Sequence, residues 1–274
     1  MSDSTLEAIL RRDRRAVMVA LVLLTALSWA YVLWLARHME MPAPGMQDMG
    51  MAMDMDMRAM APQARPWAGP DLVFGFTMWA VMMAGMMLPS ASPMILLYAR
   101  VGRQAQAQHK PFAATGWFAG GYLLAWTGFS LLATLAQAAL NQAALLTPTM
   151  ASGNDLLGGT ILMAAGLYQW TPFKDRCLAN CRAPLSFLQS HGGFKGEALP
   201  ALGLGLRHGL YCIGCCWVLM LLLFVGGVMN LAWIAGLAAL VLLEKLFTDG
   251  RTISRAVGIG LMIGGLTLAL DHWL

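Results

Sequence analysis

The chain has 274 residues, of which 58% are hydrophobic and only 12% charged, and its mean hydropathy is +0.62. This composition excludes an ordinary soluble domain and predicts an all-α fold, a polytopic membrane helix bundle. The net charge of +4 does not indicate nucleic-acid binding, because the basic residues flank apolar runs and form no recognition motif.

The first predicted element is a membrane-spanning helix over residues 16–36, which follows a cluster of four arginines. The run is too long for the core of a signal peptide and lacks a convincing cleavage site. We therefore expect it to be retained, with the amino terminus inside the cell. The chain then divides into a tail with the first helix (1–36), an outer loop (37–71) and a six-helix membrane domain (72–274).

The outer loop is a low-complexity stretch of Met, Asp, Gly and Pro with no period that could bury a core, so we expect it to be flexible. Thioethers bind copper(I) without losing a proton, and the neighbouring aspartates attract cations. The alternative is a linker of biased composition with no role in metal binding. The candidate ligands in this loop are Met46, Met49, Met51, Met53, Met55 and Met57.

The second predicted span, residues 72–99, contains six methionines within the stretch MWAVMMAGMMLPSASPM. At about 100° per residue they occupy two neighbouring sides of the helix. Pro89 and Pro93 each remove a backbone hydrogen bond, so we expect a broken helix with freed carbonyl oxygens and a candidate ion site. The alternative is that methionine fills gaps in helix packing. The candidate ligands are Met82, Met83, Met86 and Met87.

Five further spans complete a predicted seven-helix topology. They cover residues 112–136, residues 156–170, two segments within 207–247, and residues 253–270. In the third span, Gly116 and Gly120 have the spacing that lets helices approach closely. The division within 207–247 is expected at Gly226, Gly227 and Asn230.

The distribution of charge predicts the orientation of this bundle. Fifteen of the 18 Lys and Arg residues fall on one side of the predicted topology and three on the other. The positive-inside rule then places the N-terminus inside and the C-terminus outside. The loop of residues 171–206 lies inside, and its length and composition favour an ordered segment over a linker.

All five cysteines fall in this inner loop or in the first turns of the fifth span. One helical face would carry His208, Cys212 and Cys215 at i, i+4 and i+7, and the CLANC cysteines would share a face if that motif is helical. Such donors could form a tetrahedral zinc site or a copper(I) site of lower coordination. The alternatives are small core residues or a structural zinc clamp. The candidate ligands are Cys177, Cys181, His208, Cys212, Cys215 and Cys216.

Two other observations bound the chemistry. Glu244 and Lys245, at the inner end of the sixth span, are expected to form an interfacial pair with snorkelling side chains, although Glu244 could support metal ligands. The chain has no P-loop, Ser-His-Asp arrangement, HExxH motif or dinucleotide fingerprint. No catalytic residue and no site for an organic cofactor is therefore predicted, and hydrolysis and phosphoryl transfer have no support.

Three segments resemble a bacterial family described as predicted metal-binding integral membrane proteins, a domain of unknown function. They read WAVMMAGMMLPS, GLYQWTPFKDRCLANCRAPLSFL and GLRHGLYCIGCCWVLMLLLFVGGVMNLAW. The similarity extends from about residue 72 to the C-terminus and implies a polytopic protein of the bacterial inner membrane. It also implies a metal site at the Met, Cys and His positions named above. The Met-rich outer loop is not part of the similarity.

These observations predict a membrane protein that handles copper(I), by capture, transfer or delivery to a cuproenzyme. Its expected partners are the lipid bilayer, the metal ion, and a cuproenzyme or other membrane subunit. The alternative is a non-transporting scaffold or accessory subunit that holds a structural zinc ion.

Overall fold

The computed structural model describes residues 3–39, 67–111, 113–143, 145, 155–247 and 249–271. Within these ranges the chain is all-α, as predicted, and no strand is present. The methionines of the outer loop, Met46 to Met57, lie outside the described residues. The helices are α1 (Asp3–Met39), α2 (Gly69–Ala107), α3 (Thr115–Gln142), α4 (Asp155–Tyr168), α5 (Pro172–Arg182), α6 (Pro184–Ser190), α7 (Ala198–Leu221), α8 (Leu223–Gly226), α9 (Leu231–Leu246) and α10 (Gly250–Asp271).

Five helical segments in the described part of the chain are long and apolar enough to cross a membrane. They are Arg15–His38, Gly69–Ala107, Thr115–Gln142, Ala198–Gly226 and Gly250–Leu270. The helix α4 is apolar but shorter, and α9 has 16 residues. The helical architecture is thus confirmed, while the count of seven spans and their orientation stay predictions.

The methionine-rich helix α2 runs without interruption for 39 residues, and both Pro89 and Pro93 lie inside it. The expected break is therefore wrong. Hydroxyl groups next to the prolines accompany this continuity: Ser90 Oγ donates to the Met87 carbonyl oxygen at 2.9 Å, and Ser92 Oγ donates to the Pro89 carbonyl oxygen at 2.8 Å. Ser92 thus supplies a donor to the Pro89 carbonyl oxygen, the one that Pro93 deprives of its helical partner.

Glycines hold two pairs of helices in close contact. Between α3 and α7, a Cβ at Gly121 would overlap the Leu202 carbonyl oxygen, and one at Gly205 would overlap the Phe118 carbonyl oxygen. At the predicted contact glycines, Gly116 and Gly120, a Cβ would instead meet no atom within 4 Å, so that assignment is wrong and the neighbouring glycine makes the contact. The pair α4 and α10 meets in the same way at other glycines.

The segment predicted as an inner loop is largely helical. It contains α5 and α6, and α7 begins at Ala198, nine residues before the predicted start of the fifth span. The predicted division of residues 207–247 is confirmed: Gly227 has φ +91° after α8, and the Asn230 side chain accepts a hydrogen bond from the Trp233 amide at 3.1 Å at the start of α9. The short helix α5 packs on α7 and α9, which brings its cysteines to those helices.

Candidate metal centre

The helix α7 carries most of the donors of the candidate centre. His208 is 3% exposed, and Cys212, Cys215 and Cys216 are each 1% exposed. Because α7 is unbroken from Ala198 to Leu221, the spacing of His208, Cys212 and Cys215 does place them on one side of the helix.

The helix α5 brings the other two cysteines to α7. Thr171 caps its N-terminus, since the Thr171 hydroxyl accepts a hydrogen bond from the Lys174 amide at 3.3 Å, and Pro172 is the first helical residue. The CLANC motif is therefore helical, so the condition under which its two cysteines share a face is met. Cys181 is partly buried and hydrogen-bonds the Cys212 and Cys215 thiols, whereas the Cys177 thiol lies against Gly214. Cys181 thus joins the sulfur atoms of α7, and Cys177 lies at the contact between the helices.

Cys212 is the centre of this group. Lys245 Nζ donates to Cys212 Sγ at 2.9 Å, and the Tyr122 hydroxyl lies 3.1 Å from the same sulfur. The Cys215 and Cys216 thiols both donate to the Cys212 carbonyl oxygen at 3.0 Å. Residues from α3, α5, α7 and α9 therefore converge on one cysteine.

The helix α2 reaches the same place through its backbone and Ser90. The Tyr122 hydroxyl donates to the Met87 carbonyl oxygen at 3.2 Å, and Lys245 Nζ donates to Ser90 Oγ at 2.9 Å. The α2 carbonyl that the Tyr122 hydroxyl links to Cys212 is thus that of Met87, not those of Gly85 or Pro89. The methionine-rich helix and the cysteines, which the sequence presents as separate groups of donors, are thus linked through Met87 and Tyr122.

The thioether side chains of α2 are all buried. Met82 and Met86 line a crevice with Ser28 of α1 and Ile234 of α9. Met78, Met94, Met82 and Met86 are 2% exposed, and Met83 and Met87 are fully buried. The structure therefore places the methionines in the core, next to the thiol group but connected to it through the Met87 carbonyl oxygen.

The imidazole of His208 is packed among aromatic rings. Its centroid is 5.1 Å from that of Phe187, 5.8 Å from Tyr122 and 5.9 Å from Phe118. Within the described part of the chain, its buried Nδ1 has no hydrogen-bond partner. A buried polar nitrogen without a partner destabilises the fold, and a bound ligand would remove that cost.

Glu244 and Lys245 do not form the predicted snorkelling pair. Glu244 is 1% exposed and Lys245 is 8% exposed, and the two side chains have different partners. Lys174 Nζ, itself fully buried, donates to both Glu244 carboxylate oxygens at 2.9 Å and also bonds Gln169. The prediction was wrong because α5 folds back over α9 and covers its end.

The pKa values of both α5 cysteines are raised. Burial, with a smaller contribution from Cys215, raises the pKa of the Cys177 thiol to about 11. Hydrogen bonds with the Cys212 and Cys215 thiols, together with burial, raise the pKa of Cys181 well above its usual range. A metal ion that binds Cys181 must therefore displace its proton.

The donor set suits a soft metal ion of low coordination number. Among the described residues, no three His, Cys, Asp or Glu side chains are arranged to hold a metal ion together. A structural zinc site needs four such ligands in a tetrahedron. Thiolates favour copper(I), and the cysteines on two helices with an unpartnered imidazole nearby fit that ion better than zinc.

Sequence reasoning missed four residues of this centre: Ser90, Tyr122, Lys174 and the role of Lys245 beside the thiols. A Glu-Lys pair at the end of an apolar run was a usable signal, because charged groups at membrane depth seek partners. Tyr122 carried no signal, and the sequence indicated Ser90 only as a possible donor to the backbone beside Pro89, since the contacts of both residues depend on how α2 and α3 pack against α7.

Comparison with known proteins agrees with a metal role. No curated protein and no solved structure matches the chain. The profile of the family described as PpoB2, copper chaperone, matches residues 76–268. That stretch includes the α2 methionines and every cysteine and excludes the methionine-rich outer loop. Since the match covers well over half of the chain, the protein belongs to the PpoB2 copper chaperone family.

Proposed function

We propose that the protein is an integral membrane copper(I) chaperone that holds the ion between thiolates of α5 and α7. The observation that carries this proposal is the packing of α5 on α7, with Cys177 against Gly214 and Cys181 one turn further along the same face of α5. Two sulfur atoms on separate helices can bind one copper(I) ion without the four ligands that zinc requires. The Cys215 and Cys216 thiols donate to the Cys212 carbonyl oxygen instead, the His208 imidazole packs nearby, and Cys177 lies at the contact between α5 and α7.

The proposed setting is the bacterial inner membrane. Five segments have the length and hydropathy of membrane spans, and α4 and α9 would complete the seven-span topology. The charge distribution favours a cytoplasmic N-terminus and an outer C-terminus. In this orientation the cysteines lie toward the reducing cytoplasm, where thiols remain available for metal.

The proposed route begins in the outer loop. The methionines between residues 37 and 71 would collect copper(I) with the help of their aspartates, and Met82, Met83, Met86 and Met87 of α2 would receive it. Thiolates bind copper(I) more tightly than thioethers do, so the ion would end at the cysteines. The position of the Met87 carbonyl oxygen, one hydroxyl group away from Cys212, supports a short last step.

Delivery would occur by ligand exchange at Cys181. It is the only cysteine in the described chain that is not buried, so a donor group of a cuproenzyme under assembly could approach it. The incoming donor forms a bond to copper as the Cys181 sulfur–copper bond breaks, and Cys181 takes up a proton. Copper remains copper(I) throughout, so the step needs no electron donor or acceptor.

The test is copper(I) affinity of the purified full-length chain, measured by competition with a colorimetric copper(I) chelator. Cys212→Ser and Cys181→Ser should each weaken binding by more than the roughly 10- to 100-fold typical of groups that support a ligand. Cys177→Ser is the matched control on α5, and it should retain the wild-type affinity.

Two results would contradict the proposed copper(I) site. Equal copper stoichiometry and affinity in all three variants would exclude the cysteine site. One tightly held zinc ion per chain, with no copper and with unfolding on chelation, would instead support the structural zinc scaffold.

A further inference from the structure

We propose that Lys245 is a specificity-determining residue, whose fixed positive charge makes the thiol site accept a monovalent metal ion and reject a divalent one. This inference rests on the proposed copper(I) site and concerns how that site distinguishes metals. It follows from the contacts of one buried ammonium group.

The ammonium group of Lys245 is buried between Cys212 and Ser90. Lys245 Nζ lies 2.9 Å from Cys212 Sγ and 2.9 Å from Ser90 Oγ, and the side chain is 8% exposed. An ammonium group in an interior of low dielectric needs a negative partner, because an unpaired buried charge is strongly destabilising. Ser90 supplies a neutral oxygen, so the balancing charge must come from elsewhere.

The nearby carboxylate of Glu244 already has a partner in Lys174. Both oxygens of Glu244 accept hydrogen bonds from Lys174 at 2.9 Å, and that lysine is fully buried. The pair is neutral as a unit. Among the described residues in contact with Lys245, the sulfur of Cys212 is therefore the group that can carry the balancing negative charge.

The net charge of the group can be counted for each metal ion. Each coordinating cysteine loses its proton as its sulfur binds the metal. Copper(I) with the thiolates of Cys181 and Cys212 then has a net charge of minus one, and Lys245 brings the buried group to zero. Zinc(II) with the same two thiolates is neutral, so Lys245 would remain as an uncompensated buried cation.

The His208 imidazole does not alter this count. An imidazole is a neutral ligand when its nitrogen binds metal, so His208 would leave the charge of the group unchanged. Ser90 and the Tyr122 hydroxyl are likewise neutral. The preference for a monovalent ion is thus set by Lys245, while the sulfur atoms supply the affinity for soft metals.

The experiment compares copper(I) and zinc(II) affinities of the purified full-length protein, each by competition with a chelator of known affinity. Lys245→Met keeps the length of the side chain but removes its charge. We expect copper(I) affinity to fall and zinc(II) affinity to rise, each by about 10- to 100-fold. Lys245→Arg, which keeps the charge, should preserve the wild-type order of affinities.

The matched control is Lys195→Met, the same substitution at a lysine whose ammonium group bonds the exposed Gly192 carbonyl oxygen. Both affinities should remain at the wild-type value. A ratio of copper to zinc affinity that is unchanged in Lys245→Met, with wild-type copper binding intact, would overturn the role of Lys245 alone. Wild-type protein that binds no copper(I) would overturn the proposed function as well.

X-ray absorption at the copper edge of the wild-type protein gives a test that does not depend on the folding of a variant. The charge count requires two thiolate sulfur atoms on copper, with or without one imidazole nitrogen. A spectrum with three or more sulfur ligands would overturn the proposal, because the group would then carry an excess negative charge.

Discussion

Two buried lysines near the end of α9 have opposite kinds of partner. Lys174 bonds both oxygens of a carboxylate, Glu244, and the Gln169 side chain. Lys245, the residue after Glu244, bonds the Cys212 thiol and the Ser90 hydroxyl. The Lys174–Glu244 pair is neutral without metal. The Cys212 thiol beside Lys245, in contrast, can exchange its proton for a soft metal ion. The comparison separates a permanent structural contact from an exchangeable one.

The largest expected effect comes from breaking the permanent contact. Glu244→Gln leaves the fully buried Lys174 ammonium without a carboxylate, so we expect a loss of about 3–5 kcal/mol in the free energy of unfolding. The measurement is unfolding of the metal-free protein in detergent, followed by tryptophan fluorescence or circular dichroism.

The control for this variant is Asp175→Asn, which removes a partly exposed carboxylate that faces the exposed Arg251 at 3.2 Å and Arg255 at 4.0 Å. An exposed ion pair of this kind contributes about 0–1 kcal/mol, so stability should hardly change. If Glu244→Gln were as stable as this control, the Lys174–Glu244 pair would not be a permanent structural contact.

A smaller effect is expected where α5 and α7 touch, because α5 carries both Lys174 and Cys181. A Cβ at Gly214 would come within 2.7 Å of Cys177 Sγ, so Gly214→Ala should push the helices apart at a cost of about 1–3 kcal/mol. Copper(I) affinity should fall in the same variant, because Cys181 moves away from Cys212.

Gly203→Ala in the same helix is the matched control, since a Cβ there meets no atom within 4 Å. It should keep copper affinity and should be neutral or slightly stabilising, because alanine favours the helix. Loss of stability without loss of copper affinity in Gly214→Ala would show that the α5–α7 contact does not position the cysteines.

The smallest expected effect is alkaline destabilisation through Cys177. Its pKa is raised from 9.0 to about 11, so the folded state favours the protonated thiol. The stabilisation is complete below pH 9 and is lost as the pH rises toward 11. The melting temperature of the metal-free protein should therefore fall between pH 9 and pH 11, and the melting temperature of Cys177→Ala should fall less over the same interval. Parallel curves for the two proteins would contradict this assignment.

The fold was predictable where local signals were strong. Apolar runs of membrane length identified α1, α2, α3, α7 and α10, and Gly227 with Asn230 marked the division before α9. The face of a helix that contacts its partner was not predictable in the same way. Gly116 and Gly120 have the favoured spacing, but Gly121 makes the contact, because the partner helix selects the face.

The candidate centre was predictable only in part. The cysteines and His208 were found from their residue types and their spacing along one helix. The lysines were not, because a charged side chain at the end of an apolar helix can extend to the surface or be covered by another element. Whether α5 covers the end of α9 depends on tertiary packing, which one sequence does not contain.

The glycine contacts between α3 and α7 have a consequence for the tyrosine of the centre. A Cβ at Gly209 would lie 2.5 Å from the Ala125 side chain and 3.1 Å from the Tyr122 carbonyl oxygen. These contacts fix the separation of the two helix axes close to Tyr122, and so they determine how far its hydroxyl extends toward Cys212. A side chain at Gly209 would force these backbones apart. It would thereby change the 3.1 Å distance between the Tyr122 hydroxyl and Cys212 Sγ.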